Sequence, residues 1–370
     1  MVNGHRRQAK VAGDWQQMSN LTSARVRHTD YEDAQEYYMS EGIGDGLPVV
    51  PPTEAKVHAM LDYVGMQPSE IIAEESVRGV NFTAEKVAIN AVMAGCKPEH
   101  MPVVVAAVQA VSEEPFNFHA NSTSTNGVGV LVIVSGDIAK RIGINSGTVA
   151  MGHGFRANAT IGRAMGLIKI NAYGSVPYGM DKSTFGHPGK YSFCFAENDD
   201  IIPWEPLRVE KGYADSDSTV TVFAANSPLQ VNTQNESAPE DFLSIAADAS
   251  IVLGERHSEF VLVLSPELMN YIRHAGWSKQ RIKDFVLERG TRTGRELNEK
   301  HRRITLYKGD DLDRRIPVVS STNEITVVGA GGDAGPFAML IGAWGEVISI
   351  TKKIQTQRRT QWRKKMNAIH

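Results

Sequence analysis

Val128-Gly129-Val130-Leu131-Val132-Ile133-Val134 is followed directly by Ser135-Gly136-Asp137 and then by Ile138-Ala139-Lys140-Arg141-Ile142. The first seven residues are apolar and mostly β-branched, with nothing polar on either face. Such a run reads as a strand buried on both sides, the habit of sheets covered by helices. Ser-Gly-Asp breaks the strand, and the next five residues take up helical spacing. The pattern returns downstream: Phe260–Leu264 is apolar, Ser265-Pro266-Glu267 breaks it, and Leu268–His274 reads as helix. Val134–Ile138 lies on Leu264–Leu268 without a gap, Ile142 falls on Ile272, and Ser146 matches Ser278 with a shift. A third start, Ser321-Thr322-Asn323, echoes Ser124-Thr125-Asn126 and leads through Ile325–Val328 into Gly329-Ala330-Gly331-Gly332. Two readings stand: internal duplication of a strand–turn–helix unit, or the ordinary likeness of any two such units over a short span. The fold class expected is α/β, with repeated strand–turn–helix units around a largely parallel or mixed sheet and an N-terminal helical portion.

Towards the N-terminus, residues 1–30 read as a polar, flexible arm. Helices are expected over Tyr31–Glu41, from a Thr53 cap to about Tyr63, from Thr83 along Val87, Ala88, Ala91 and Val92 to Gly95, and from Pro98 to Val111. Between the first two, Leu47-Pro48-Val49-Val50-Pro51-Pro52 must be extended, because each proline biases its predecessor away from helix. The expected organisation is a helical portion over 31–115, a first α/β unit over 116–255, a second over 256–351, and a basic tail over 352–370. Lys352–Lys365 carries seven Lys/Arg and no acidic residue. Most such runs are solvated tails. Gly174–Trp204 is too long for an ordinary connection, and its aromatic residues argue for an ordered, site-forming loop.

The chain has 370 residues and a formal charge of −3, so it carries no overall basic footprint for nucleic acid. Cys96 and Cys194 are its only cysteines, which excludes a disulfide scaffold and points to a reducing, cytoplasmic setting. Met1–Asp30 lacks the apolar segment of a secretory signal, and no apolar run is long enough for a membrane span. The remaining candidate partners are a small anionic substrate, a thioredoxin-like protein discussed below, and a second copy of the chain. No cofactor is indicated.

Four stretches could carry chemistry. In Gly152-His153-Gly154-Phe155-Arg156-Ala157-Asn158-Ala159-Thr160, Asn158 or Thr160 could cap a helix, with Arg156 just before its N-terminus. Backbone N–H groups and a guanidinium there would hold a carboxylate or phosphate, with His153 on exposed backbone beside them. The alternative pairs Arg156 with a structural partner. In Asp181–Asn198, His187 suits acid–base work, with Lys190 and Glu197 nearby. Cys194, between Phe193 and Phe195, is a nucleophile only if its thiolate is stabilised and otherwise a buried small hydrophobe. His119 and Asn121 open a polar cluster before the first strand, which reads either as turn chemistry or as pocket lining. Gly329-Ala330-Gly331-Gly332-Asp333-Ala334-Gly335 fits the letters of a dinucleotide fingerprint and is expected to precede a helix from Phe337. Too little chain follows for a Rossmann unit, so Gly331, Gly332 and Asp333 remain only as an anion nest. The spacing of His119, His153 and His187 matches no metal signature, so no metal site is assigned.

Asp45–Thr53, Ala91–Glu99, Arg156–Ala164 and Gly189–Asn198 together resemble a bacterial family of largely uncharacterised proteins, over most of residues 40–350. The resemblance implies association with small thioredoxin-like proteins bearing a Cys/Sec-Gly-Ser-Cys motif. No Cys-x-x-Cys occurs in this chain, so any redox step would belong to that partner. The function expected is an enzyme of lyase or hydrolase type acting on a small carboxylate-bearing molecule. Arg156, Asn158, His119, Asn121, Lys190, Gly331, Gly332 and Asp333 would bind it, and His187, Glu197, Cys194 and His153 would do the chemistry. The alternative is a non-catalytic subunit that holds substrate for the thiol-active partner.

Overall fold

The computed structural model describes residues 20–253, 259–300, 305–345 and 347–356. The N-terminal part contains α1 (Tyr31–Ser40), α2 (Glu54–Val64), a hairpin of β1 (Ile71–Glu75) and β2 (Val80–Thr83), α3 (Ala84–Ala94), α4 (Met101–Val111) and α5 (Phe118–Thr123). The first α/β unit runs through β3 (Gly129–Ser135), α6 (Ile138–Ile142), α7 (Arg156–Leu167), β4 (Cys194–Ala196), α8 (Leu207–Glu210), β5 (Thr219–Ala225) and β6 (Leu229–Asn232). The second runs through α9 (Pro239–Ser250), β7 (Phe260–Leu264), α10 (Pro266–His274), α11 (Lys279–Arg289), β8 (Thr291–Thr293), α12 (Gly294–Lys300), β9 (Arg315–Pro317), β10 (Ile325–Gly329), β11 (Phe337–Gly342) and β12 (Ile350–Lys353). The α/β class holds, and the sheets are mixed.

Two four-stranded sheets form the centre, in the orders β12-β5-β3-β4 and β10-β7-β11-β6. Each has one parallel pair (β3/β4, β7/β10) and two antiparallel pairs. With Val134 placed on Leu264, as in the alignment above, the registers coincide. Val134 pairs with Ala196 and Val220, and Leu264 pairs with Gly329 and Ala338. The outer strand follows suit, since Val220 pairs with Lys352 and Ala338 with Val231. Each sheet takes this fourth strand from the other unit: β6 follows β5 but joins β11, and β12 follows β11 but joins β5. The crossover is reciprocal. Ala225 bridges Ala343, the Asn226 N–H donates to Gly342 O at 2.8 Å, and the Trp344 N–H donates to Ala224 O at 2.7 Å. Under the same equivalence these residues exchange places, so a local two-fold passes between Ala225 and Ala343.

The period of two along each strand builds four layers. Val130, Val132 and Val134 enter the core under α3, α4 and α7, whereas Leu131 and Ile133 enter a second core with Phe195, Phe223, Val261, Val263 and Val328. Phe260, Leu262 and Leu264 point the other way, towards α9, α10 and α11. The two sheets therefore pack face to face, with a helical layer outside each. The N-terminal helices are not a satellite. One core reaches from Val49 to Ile354, so α3 and α4 supply the outer layer of the first unit.

Arg163 of α7 clamps the extended N-terminal segment. Its Nε and Nη2 reach the Asp45 carboxylate at 2.8 and 2.9 Å, and Nη2 also meets Leu47 O and Pro48 O. Gly162 permits the contact of α7 with the chain entering β4, since a Cβ there would lie 2.5 Å from the Phe193 nitrogen.

Four local expectations change. The segment from Phe337 is strand β11, not helix, because its apolar run lies between β7 and β6. An unbroken apolar run fits either element until its neighbours are known. α7 starts at Arg156 with Phe155 as its cap, so Asn158 lies inside the first turn. Lys352 and Lys353 belong to β12 rather than to a tail, with Lys352 bonded to Glu113 and Lys353 to Asp217. Residues 357–370 of that tail lie outside the described residues, as do residues 1–19 of the arm. The described part of the arm is pinned, with the Thr22 and Ser23 N–H groups on the buried Glu85 carboxylate.

Candidate functional site around Lys169

After Leu167 the last turn of α7 widens into a π-turn over Ile168–Ala172. Such turns are rare and frequent at functional sites. Lys169 lies on this turn and is turned inward, on the face that carries the buried Ile161 and Met165 of α7. The residue is 7% exposed, and among the described residues the one hydrogen-bond partner of its Nζ is Asn121 O at 3.5 Å. The same asparagine on α5 is buried, with its amide N–H groups on Phe116 O and Asn117 O and its Oδ1 without a partner. Ser122 Oγ beside it is also buried and unpartnered. An ammonium with three donors and one long contact is poorly compensated. Burial first, and the neighbouring Lys190 charge next, lower its pKa to about 8 against the pull of Asp181.

The loop beginning at Gly174 passes over this centre. The Ser175 N–H donates to Lys169 O and Ser175 Oγ to Ser122 O. Further along, Lys190 Nζ lies 2.6 Å from both Asp181 Oδ2 and Ser183 Oγ. Burial would raise the Asp181 carboxyl, but Lys190 and Ser183 outweigh it and hold it below its ordinary value. On the other side, His119 Nδ1 is 3.0 Å from the Tyr173 hydroxyl. Burial, and then the Glu75 carboxylate delivered by the β1–β2 hairpin, raise the Tyr173 phenol. Arg78 closes that side, with Nη1 on Tyr173 O and its guanidinium 5.2 Å from the ring centre.

Of the expected residues, Asn121 meets Lys169 through its backbone carbonyl, Lys190 acts on it through its charge, and His119 meets Tyr173 just after the π-turn, while Lys169 itself was not expected. The others lie elsewhere. Arg156 donates from Nε and Nη2 to Gly95 O, capping the end of α3. Asn158 holds the turn after α6: it accepts from the Asn145 N–H and donates to Asn145 O and Ala150 O. Gly331 and Gly332 face that same turn, with the Gly331 N–H on Ser146 O, while Asp333 is exposed. His153 is exposed on the loop before α7. His187 sits near Lys190, but both ring nitrogens are engaged: Nδ1 accepts from the Gly189 N–H, and Nε2 lies 3.2 Å from Ala225 O at the crossover. Burial holds its imidazole below the ordinary value. Cys194 is buried and its thiol is pushed up by that burial, and burial pushes the Cys96 thiol up to about 12. Neither offers a thiolate near neutrality.

Glu197 belongs to a separate network at the end of β4. Its Oε2 accepts from Ser135 Oγ at 2.7 Å and from the Leu207 N–H at 2.8 Å, and its Oε1 has no partner among the described residues. Arg208 joins Ser135 to Asp199 and Asp215. Burial pushes the Glu197 carboxyl up to about 7, against Ser135, Lys279 and the Leu207 N–H. The protonated form is therefore favoured by folding, and its stabilisation, present below 4.5, is lost as pH rises through 7. In urea denaturation the wild type should lose about 3 kcal/mol more than Glu197→Gln between about pH 5 and about pH 8. Parallel curves would show that the carboxyl titrates normally. Among the described residues no group of three His, Cys, Asp or Glu is placed to hold a metal ion, and no helix is long and apolar enough to cross a membrane. Fold and site together define an α/β protein of four layers with a buried lysine centre. Comparison with family models and with curated proteins found no match for the chain.

Proposed function

We propose that the chain is an enzyme of lyase or hydrolase type acting on a small carboxylate-bearing molecule, with Lys169 as its base or nucleophile. The observation that carries this reading is the inward Lys169 ammonium, left with one long hydrogen bond to the carbonyl of Asn121, on a turn of α5 that holds two more buried polar atoms without partners among the described residues. A structural lysine would be expected to meet a carboxylate or reach solvent. An amine with its pKa at about 8 supplies a useful neutral fraction near neutrality, the property that base and nucleophile lysines need. The Lys190 charge helps keep Lys169 neutral, and the Lys190 ammonium, paired with Asp181 and bonded to Ser183, keeps a donor for an anionic substrate.

The test is turnover of a panel of small carboxylic acids and esters by wild type, Lys169→Met and Lys169→Arg, followed by NMR of the mixture. Loss of a general base or nucleophile should lower the rate by about 10²–10⁴-fold in both variants, with folding intact. Full turnover by Lys169→Met overturns the assignment. A second reading keeps the chain as a substrate-holding subunit for a thiol-active partner. It is supported by the burial of both cysteines, which leaves any thiol step to another protein. Stoichiometric recovery of a Cys-Gly-Ser-Cys protein with the chain, and no turnover by the chain alone, would favour that reading.

A further inference from the structure

Resting on the reading just given, we propose that Lys169 forms an imine with a small aldehyde or ketone that also carries a carboxylate, a 2-oxo acid being the simplest member of the class. A lysine acting only as a base needs a proton to take and little else. The surroundings of Lys169 contain more than that. Asn121 Oδ1 and Ser122 Oγ are both buried and without a partner among the described residues, one on the residue whose carbonyl Lys169 reaches and the other on the next residue of α5. They are neutral, so neither can neutralise the ammonium by ion pairing. They are the kinds of group that imine formation uses: a hydroxyl to relay a proton and an amide oxygen to accept from a carbinolamine O–H. Tyr173, directly after the π-turn, presents a second hydroxyl towards His119.

The step balances without any oxidant or reductant. The neutral Nζ attacks the carbonyl carbon, a C–N bond forms, and the carbonyl π pair moves to oxygen, which takes a proton. Nζ releases a proton and leaves a neutral carbinolamine. Its hydroxyl is then protonated and departs as water while the nitrogen lone pair forms the C=N bond. One amine, one carbonyl and one proton become one protonated imine and one water. The carboxylate requirement comes from Lys190. That ammonium is held by Asp181 and Ser183 with one donor left over, and it is close enough to lower the Lys169 pKa. A substrate carboxylate placed between the two cations offsets their repulsion and leaves the carbonyl carbon beside Nζ. The loop over Gly174–Lys190 separates this centre from solvent and is tied down by the Thr184 N–H on Thr125 O and by Ser183 Oγ on Asn126 O. Its tip carries Tyr178 and Phe185, both almost wholly exposed and so unheld by the core.

The experiment uses the full chain with sodium cyanoborohydride and either pyruvate or, as the uncharged control, acetone, followed by peptide mapping. Pyruvate should give one reduced adduct on the peptide carrying Lys169, at least about tenfold faster than acetone, the discrimination expected of a charge contact, and Lys169→Met should give none there. Adducts spread over exposed lysines with none at Lys169 overturn the proposal. Acetic anhydride labelling separates the two readings. If Lys169 is acetylated in the folded protein and pyruvate protects it while no adduct is trapped, the imine is wrong and the base survives. If Lys169 is acetylated only after unfolding, both fall.

Discussion

Lys169→Met is expected to stabilise the folded protein at neutral pH by about 3 kcal/mol, an unusual sign for a core substitution. The penalty being removed is that of a buried ammonium. Folding lowers the Lys169 pKa from 10.5 to about 8, so the folded state binds fewer protons than the unfolded state between those values. By linkage, the stability tied to Lys169 is fully present above 10.5 and is lost as pH falls through 8. Wild-type stability should therefore climb as pH rises across that window, and the variant should climb less. Methionine is close to lysine in length and adds no charge, so the apolar neighbours Ile168 and Leu167 keep their packing. Denaturant titrations of both proteins at several pH values measure the difference. A variant less stable than wild type at neutral pH would mean that the ammonium is compensated in the fold. The gain in stability would accompany loss of activity, the usual relation when a strained group is kept for function.

The largest destabilisation is expected from Glu210→Ala, at about 3–5 kcal/mol. Glu210 on α8 accepts from Lys279 at 2.8 Å and from Lys283, both on α11 and both buried. Burial alone would raise the Glu210 carboxyl, but the two lysines, Lys279 foremost, hold it below its ordinary value. Lys279 keeps a second acceptor in Glu205 O at 2.7 Å, and Lys283 has no such reserve among the described residues. Removing the carboxylate leaves two cations to repel each other in the interior. The double variant Glu210→Leu with Lys283→Met should recover most of the loss, because it removes the stranded charge as well. Urea midpoints of the three proteins decide the matter. A loss below about 1 kcal/mol for Glu210→Ala would place this pair among weak surface-type ion pairs.

Much of the strand framework was legible because it rests on local pattern. Val128–Val134 and Phe260–Leu264 announce themselves by apolar, β-branched runs, and their alignment across Ser135 and Ser265 is the one that the sheet registers share. The partner of β3 was harder to see. β5 is buried throughout, but Thr219 and Thr221 give it a polar look, and their burial comes from pairing with β3 and β12 rather than from hydrophobicity. The exchange of β6 and β12 leaves no local trace, since it depends on which sheet a short strand reaches after a turn. Phe337–Gly342 was misread for the reason that an apolar run does not declare its period.

The site divides in the same way. His119, Asn121 and Lys190 were found as polar residues in a polar stretch. Lys169 carried a signal too, since it follows the buried Ile161 and Met165 at helical spacing on the face that α7 turns inward. Arg156 and His187 have the chemistry expected of them, yet their donors go to Gly95 O and Ala225 O, groups distant in sequence. Hydrogen-bond demand from a far segment is what a single sequence does not display.

The most direct test of the lysine centre is an NMR titration of the full chain labelled with ¹³C at lysine Cε. The resonance is assigned to Lys169 by its absence from Lys169→Met. It should move with a midpoint near 8, well apart from exposed lysines, and the midpoint should rise when a small carboxylate is added. A midpoint at the ordinary 10.5 would show the Lys169 ammonium to be fully compensated, and the site would lose its reactive amine.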